Sequence, residues 1–205
     1  MDSTLDLVKV FGSSPLIYSA LLLLSVAGVG IWLYSLLTFR PKDIVPVQFV
    51  NEVQGMLRSG QFQQVSELCT QRSDLLASLL IAGLRARHQG ASVMLDSMKS
   101  EGKRLSAPLW QRLSLLNDIA LVAPMLGLLG TVIGMFYAFY DMNRSIESIN
   151  SLFDGLGVAV GTTVFGLIVA IMAMIFATTL KYRLVNTLSL VENEALRLSA
   201  LISQK

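Results

Sequence analysis

The chain has 205 residues, of which 53% are hydrophobic and only 15% charged. Soluble domains carry about 25% charged residues, so much of this surface faces something other than water. The net charge of +2 leaves no nucleic-acid footprint. The single cysteine, Cys69, excludes an internal disulfide framework and a cysteine-based metal cluster.

A helix that crosses a bilayer needs about 20 mainly apolar residues, and three charge-free windows meet that length. Residues 1–15 form a short leader with one lysine, Lys9, against Asp2 and Asp6. The first window, Leu16 to Phe39, ends at Arg40-Pro41-Lys42. A signal peptide has a positive leader and a shorter apolar core, so this window reads as a retained helix. Residues 40–118 are polar enough for water. Within them, Phe49, Val50, Val53 and Leu57 predict an amphipathic helix over 47–58, which Gly60 ends. Residues 62–70 predict a second short helix. A third starts at the N-cap Ser73-Asp74 and runs through Leu84. Met94 to Leu116 predicts a longer helix, interrupted only by Pro108, that leads directly into the second window, Ile119 to Tyr140. Residues 141–154 read as a loop. The third window, Gly155 to Leu180, continues into a tail, 181–205, where Leu184, Leu188, Val191, Ala195 and Leu198 keep helical spacing. No strand-like alternation of any length occurs. The predicted fold is an all-α integral membrane protein with three transmembrane helices, the second and third extended into a cytoplasmic helical bundle.

Basic residues set the orientation. Ten lie in Arg40 to Leu116 and four in the tail, against Lys9 and Arg144 on the other side. The expectation is a cytoplasmic 40–118 region and C-terminus, with the N-terminus and the 141–154 loop outside.

No phosphate loop, nucleophile triad or metal-ligand spacing is present, so no residue supports an enzyme, cofactor or metal reading. His88, the only histidine, reads as a solvated loop residue and Cys69 as a buried packing residue. The spans say more. Gly127, Thr131, Gly134 and Ala138 recur at helical spacing, with Gly130 and Gly134 as a GxxxG pair. Ala159, Thr163, Gly166, Ala170, Ala173 and Ala177 form a second stripe. In lipid, such small residues mark faces where helices approach closely. The expectation is that these stripes pack against neighbouring copies or line a central cavity. Thr131, Thr162 and Thr163 either bond their own helix or line a polar passage. No span contains Asp, Glu, Lys, Arg or His, although proton pathways in membranes use an ionisable group at depth. An acid on such a pathway must come from another polypeptide.

The run Asn117-Asp-Ile-Ala-Leu-Val-Ala-Pro124-Met-Leu-Gly127-Leu-Leu-Gly130-Thr131-Val-Ile-Gly134-Met135 resembles the signature of the MotA/TolQ/ExbB proton-channel family. Gly60-Gln-Phe-Gln, Glu67-Leu-Cys69 and Leu79-Leu-Ile-Ala-Gly-Leu84 are similar to the family's short cytoplasmic helices. Thr163-Val-Phe-Gly166-Leu167 with Ala170-Ile171 is similar to its last span. Three spans with one large cytoplasmic region resemble the ExbB/TolQ branch.

The resemblance implies a homo-oligomeric ring, a pentamer, in the bacterial inner membrane around single-span partners of the ExbD/TolR type. It implies proton-driven work for TonB-dependent uptake or a Tol–Pal system, with Thr131 and Thr163 at the pore-facing positions. Two positions depart from the pattern. Val158 stands where the ExbB and TolQ proteins carry glutamate, and Met172 where they carry proline. The missing glutamate keeps open a second reading, a non-conducting scaffold of the same fold that organises a partner protein.

Overall fold

The computed structural model describes residues 15–38, 47–72, 74–142 and 149–203. The leader before Pro15, the N-cap candidate Ser73 and the centre of the 141–154 segment lie outside the described residues. The elements of the described chain are all helical, in the order α1 (Pro15–Thr38), α2 (Val47–Arg58), α3 (Phe62–Thr70), α4 (Leu75–Ala86), a 3-10 turn (Arg87–Gln89), α5 (Ala91–Met142) and α6 (Ile149–Ser203). Among the described residues there is no strand. Three helices are long and apolar enough to cross a membrane: α1, and parts of α5 and α6. The all-α membrane fold expected from the sequence is the one observed.

The short helices follow their local chemistry. Phe49, Val53 and Leu57 lie on one face of α2 and are buried together. Gly60, at φ +78°, ends α2. Its amide donates to the Leu57 carbonyl and that of Gln61 to the Met56 carbonyl, at 3.1 and 3.0 Å. This paired closure consumes two carbonyls that the helix end would leave bare, and it needs a left-handed residue that glycine supplies without strain. α4 presents Gly83 to Met94 and Met98. A Cβ there would sit 2.7 Å from the Met98 sulfur, so glycine lets α5 lie close. His88 falls in the 3-10 turn, where its Nε2 accepts a hydrogen bond from Arg87 Nε at 3.0 Å. Asp74 occupies the N-cap position of α4 in an extended conformation, with no side-chain cap bond.

The chain divides into two compact units. The first comprises the described residues within Met1–Tyr34 together with Leu113–Thr179. Its core is Ile17 and Leu21 from α1, Ile119 and Ala123 from α5, and Val169, Ala170 and Ala173 from α6. Tyr18 meets Phe165, and Trp32 stacks on Phe176 with ring centroids 4.6 Å apart. Contact positions rise together on α1 and α6, so these helices run parallel. The outer faces carry exposed Leu23, Val26, Leu121, Met125, Leu128, Val164, Ile171 and Ile175. A patch of that extent is foreign to a water-facing surface and suits lipid or another hydrophobic helix.

The second unit comprises the described residues within Ser35–Arg112 and Leu180–Lys205. α2, α3, α4 and the first turns of α5 share a core with Val191, Ala195, Leu198 and Ile202 of α6. Cys69 is fully buried in it, and burial pushes its thiol up to about 11. At neutral pH it stays a protonated, unreactive packing group. Pro108 lies inside α5 without breaking it. Proline removes one backbone donor, and both Pro108 and Arg104, whose carbonyl loses its partner, are exposed to solvent.

Candidate functional site

In the first unit, the charge-free stretches of α5 and α6 meet along a seam of small residues. On α5 the seam runs Ala123, Gly127, Gly130, Gly134, Ala138. On α6 it runs Gly166, Thr162, Ala159, Gly155 in the opposite direction. The distances show how little room remains. A Cβ on Gly127 would lie 2.9 Å from the Thr162 carbonyl oxygen and 3.0 Å from the Thr163 Cα. One on Gly166 would lie 2.7 Å from the Ala123 carbonyl oxygen. One on Gly134 would meet the Ala159 Cβ at 3.0 Å, and one on Gly155 the Ala138 Cβ at 2.7 Å. Gly130 is the tightest, since its Cβ would overlap the Thr162 side chain. Backbone therefore packs on backbone along four turns, the arrangement that dispersion forces favour where lipid offers no hydrophobic drive.

The only side-chain oxygens in the seam converge on one carbonyl. Thr162 Oγ1 donates to the Gly127 carbonyl at 3.2 Å and to the Ala159 carbonyl at 2.7 Å. Thr163 Oγ1 donates to the same Gly127 carbonyl at 3.2 Å. Glycine at 127 exposes that carbonyl because no side chain stands between it and α6. Thr131 sits one turn along α5, half-buried, with its hydroxyl donating to the Leu128 carbonyl of its own helix at 2.7 Å. Each hydroxyl retains acceptor capacity. No charged side chain lies within the three charge-free windows, and no cluster of potential metal ligands occurs among the described residues.

The three threonines singled out in the sequence occupy different situations. Thr131 and Thr163 are half-buried and leave part of each side chain at the surface of the helix pair. Thr162 is 0% exposed. Its own chain encloses it, with the hydroxyl against the Gly127 and Ala159 carbonyls. Helical geometry explains the difference: the register 155, 159, 162, 166 faces α5, and 163 falls at its edge. Gly127, Gly130, Gly134, Ala159 and Gly166 meet each other within one chain rather than standing open for a neighbouring copy. Ala170 belongs instead to the core shared with α1. Ala123, Ala138 and Gly155 complete the seam. Their small side chains at spacings of four and three were the available signal.

The sequence profile of the MotA/TolQ/ExbB proton channel family matches residues 71–193, which take in α4, all of α5 and the seam face of α6. The chain belongs to this family. Among curated relatives, it is similar to a putative biopolymer transport protein ExbB-like 1 from Synechocystis sp., 27% identical over 78% of this chain and 63% of that protein. It is also similar to the biopolymer transport protein exbB1 of Vibrio cholerae serotype O1, 47% identical over 30% of this chain and 28% of that protein. The biopolymer transport protein ExbB of Aquifex aeolicus is 37% identical over 39% of this chain and 54% of its own length. The chain thus spans less than two thirds of each of these relatives. As a member of the MotA/TolQ/ExbB family with three apolar helices, it is a multi-pass membrane protein.

Proposed function

We propose that the chain is the channel-forming subunit of a proton-driven motor in a bacterial inner membrane. It forms a homo-oligomeric ring, a pentamer, around a single-span partner of the ExbD/TolR type, and the work serves a TonB-linked uptake or Tol–Pal type process. The observation that carries this reading is the pairing of acid-free spans with two half-buried hydroxyls, Thr131 and Thr163, at the edge of a rigid glycine seam. A hydroxyl both donates and accepts. Bonded to a helix carbonyl it still accepts from water, and by turning its proton away from that carbonyl it can steady a partner carboxylate without carrying charge across the membrane itself. One charge moved through about 100 mV releases about 2.3 kcal/mol, enough to bias a conformational step.

The test is reconstitution with a single-span partner of the ExbD/TolR type from the same organism. Proton flux into vesicles should appear only with both proteins, and should vanish when the partner's membrane aspartate becomes asparagine. Co-purification without flux would favour the scaffold reading, to which Val158 lends support: it is buried at 8% exposure on α6 and offers no carboxylate.

The orientation is tested by cysteine labelling. Residues 40–118 and the C-terminus are placed in the cytoplasm, so an impermeant maleimide added to intact cells should label Ser148→Cys and spare Ser92→Cys. The native chain supplies no background, because Cys69 is buried and its thiol is protonated. The reverse pattern would invert the topology.

A further inference from the structure

The second unit contains a concave site of its own. α4, α5 and α6 leave between them a cavity of about 310 Å³. It is lined by Leu79 from α4, Met98 and Trp110 from α5, and Leu188, Val191 and Leu196 from α6. Two lysines line it as well. Lys99 and Lys103 stand one turn apart on α5, both exposed. Nearby arginines are neutralised on their own helices, Arg104 by Glu101 at 2.6 Å and Arg197 by Glu194 at 3.1 Å. Neither lysine has a carboxylate within ion-pair distance among the described residues. An apolar cavity beside two uncompensated cations is complementary to a molecule with an apolar body and an anionic end. Glu192 lines the same cavity from α6 and repels an anion there, which confines the head group to the α5 wall.

Size narrows the class. Small-ligand sites occupy about 300–1,000 Å³, and this one is at the lower bound. A packed helix is about 10–12 Å across and does not fit such a volume. A cavity at that lower bound suits one acyl chain rather than the two chains and headgroup of a phospholipid. We propose that the cavity binds a single-chain acyl carboxylate, with its chain along Met98, Trp110 and Leu188 and its carboxylate between Lys99 and Lys103.

The two tryptophans make the site readable. Trp32 stacks on Phe176 in the first unit, and Trp32→Phe leaves Trp110 as the only reporter. The full-length variant in lipid nanodiscs is titrated with dodecanoate brominated near its methyl end. Saturable quenching of Trp110 is expected, weakened about tenfold by Lys99→Ala with Lys103→Ala, the loss of a hydrogen-bonded charge partner. Brominated phosphatidylcholine in the disc should not quench. Quenching that never saturates, that survives the double substitution, or that a brominated dodecyl ammonium reproduces equally would overturn the proposal. So would a Trp110 that no soluble probe reaches, since another polypeptide would then cover the cavity.

Discussion

Gly130→Leu is expected to drive α5 and α6 apart and to remove most of the folded protein from the membrane. Even a single methyl group at this position would overlap Thr162, with 2.6 Å to its Cβ and 2.9 Å to its Cγ2. Those atoms belong to a β-branched side chain whose hydroxyl is tied to the Ala159 and Gly127 carbonyls, so its rotamer is fixed and they do not rotate away. Overpacking of this kind costs about 1–3 kcal/mol or more. Gly130→Ala should therefore lower the apparent melting temperature by about 2–12 °C, and the leucine variant should fail to accumulate. Gly157→Ala is the control. Its Cβ would meet nothing within 4 Å, so the isolated chain should melt unchanged. Equal melting of Gly130→Ala and the parent would mean that the seam does not limit the stability of this fold.

Thr163→Val should do the opposite, leaving the protein folded while stopping its work. Valine keeps the branched shape and loses only the hydroxyl. The bond lost, to the Gly127 carbonyl, is of a kind worth about 0.6 kcal/mol in a membrane bundle. Ring formation and melting should hardly change. Proton flux should fall by about tenfold or more, because a hydroxyl that steadies a charged group contributes about 1.5–3 kcal/mol. Thr131→Val should match it in flux. Thr179→Val, whose hydroxyl only caps the Ile175 carbonyl of its own helix, should behave as the parent. Full flux in both Thr131→Val and Thr163→Val, measured on assembled rings, would leave these residues a packing role and shift the reading toward a scaffold.

The degree to which the sequence anticipates this molecule varies with the physics at each place. α2 and α3 are legible to the residue, because an apolar face at helical spacing is interrupted by a glycine whose left-handed turn nothing else tolerates as well. The three spans are legible because about twenty charge-free residues in a row match the length that a bilayer demands of a helix. The ends of α5 and α6 are not. Met142 and Ile149 are both helical, inside the segment that reads as a loop, since a helix leaving the membrane accepts polar residues without penalty. The choice between Thr162 and Thr163 is equally hidden. Both keep small-residue spacing from Ala159 and Gly166, and only the position of Gly130 on the opposing helix decides which one is enclosed. Spacing shows that a helix has a small-residue face. It does not show whether that face meets its own chain or another.

The Gly127 carbonyl has more donors than it can serve. In a regular helix it accepts the amide of Thr131, yet it also receives two hydroxyl groups from α6, and a carbonyl offers two lone pairs. Three donors compete for two places. One turn earlier, Pro124 has no amide to give the Ala120 carbonyl. Both features fall in the same short stretch of α5, which is therefore the most compliant part of its apolar span. Amide deuteration should be fastest there among the apolar residues of α5, and the helix should flex at that point before it flexes anywhere else in the span. A small bend there can be taken up by exchanging one hydroxyl for the amide, so the span can yield and recover while its contacts with α6 persist.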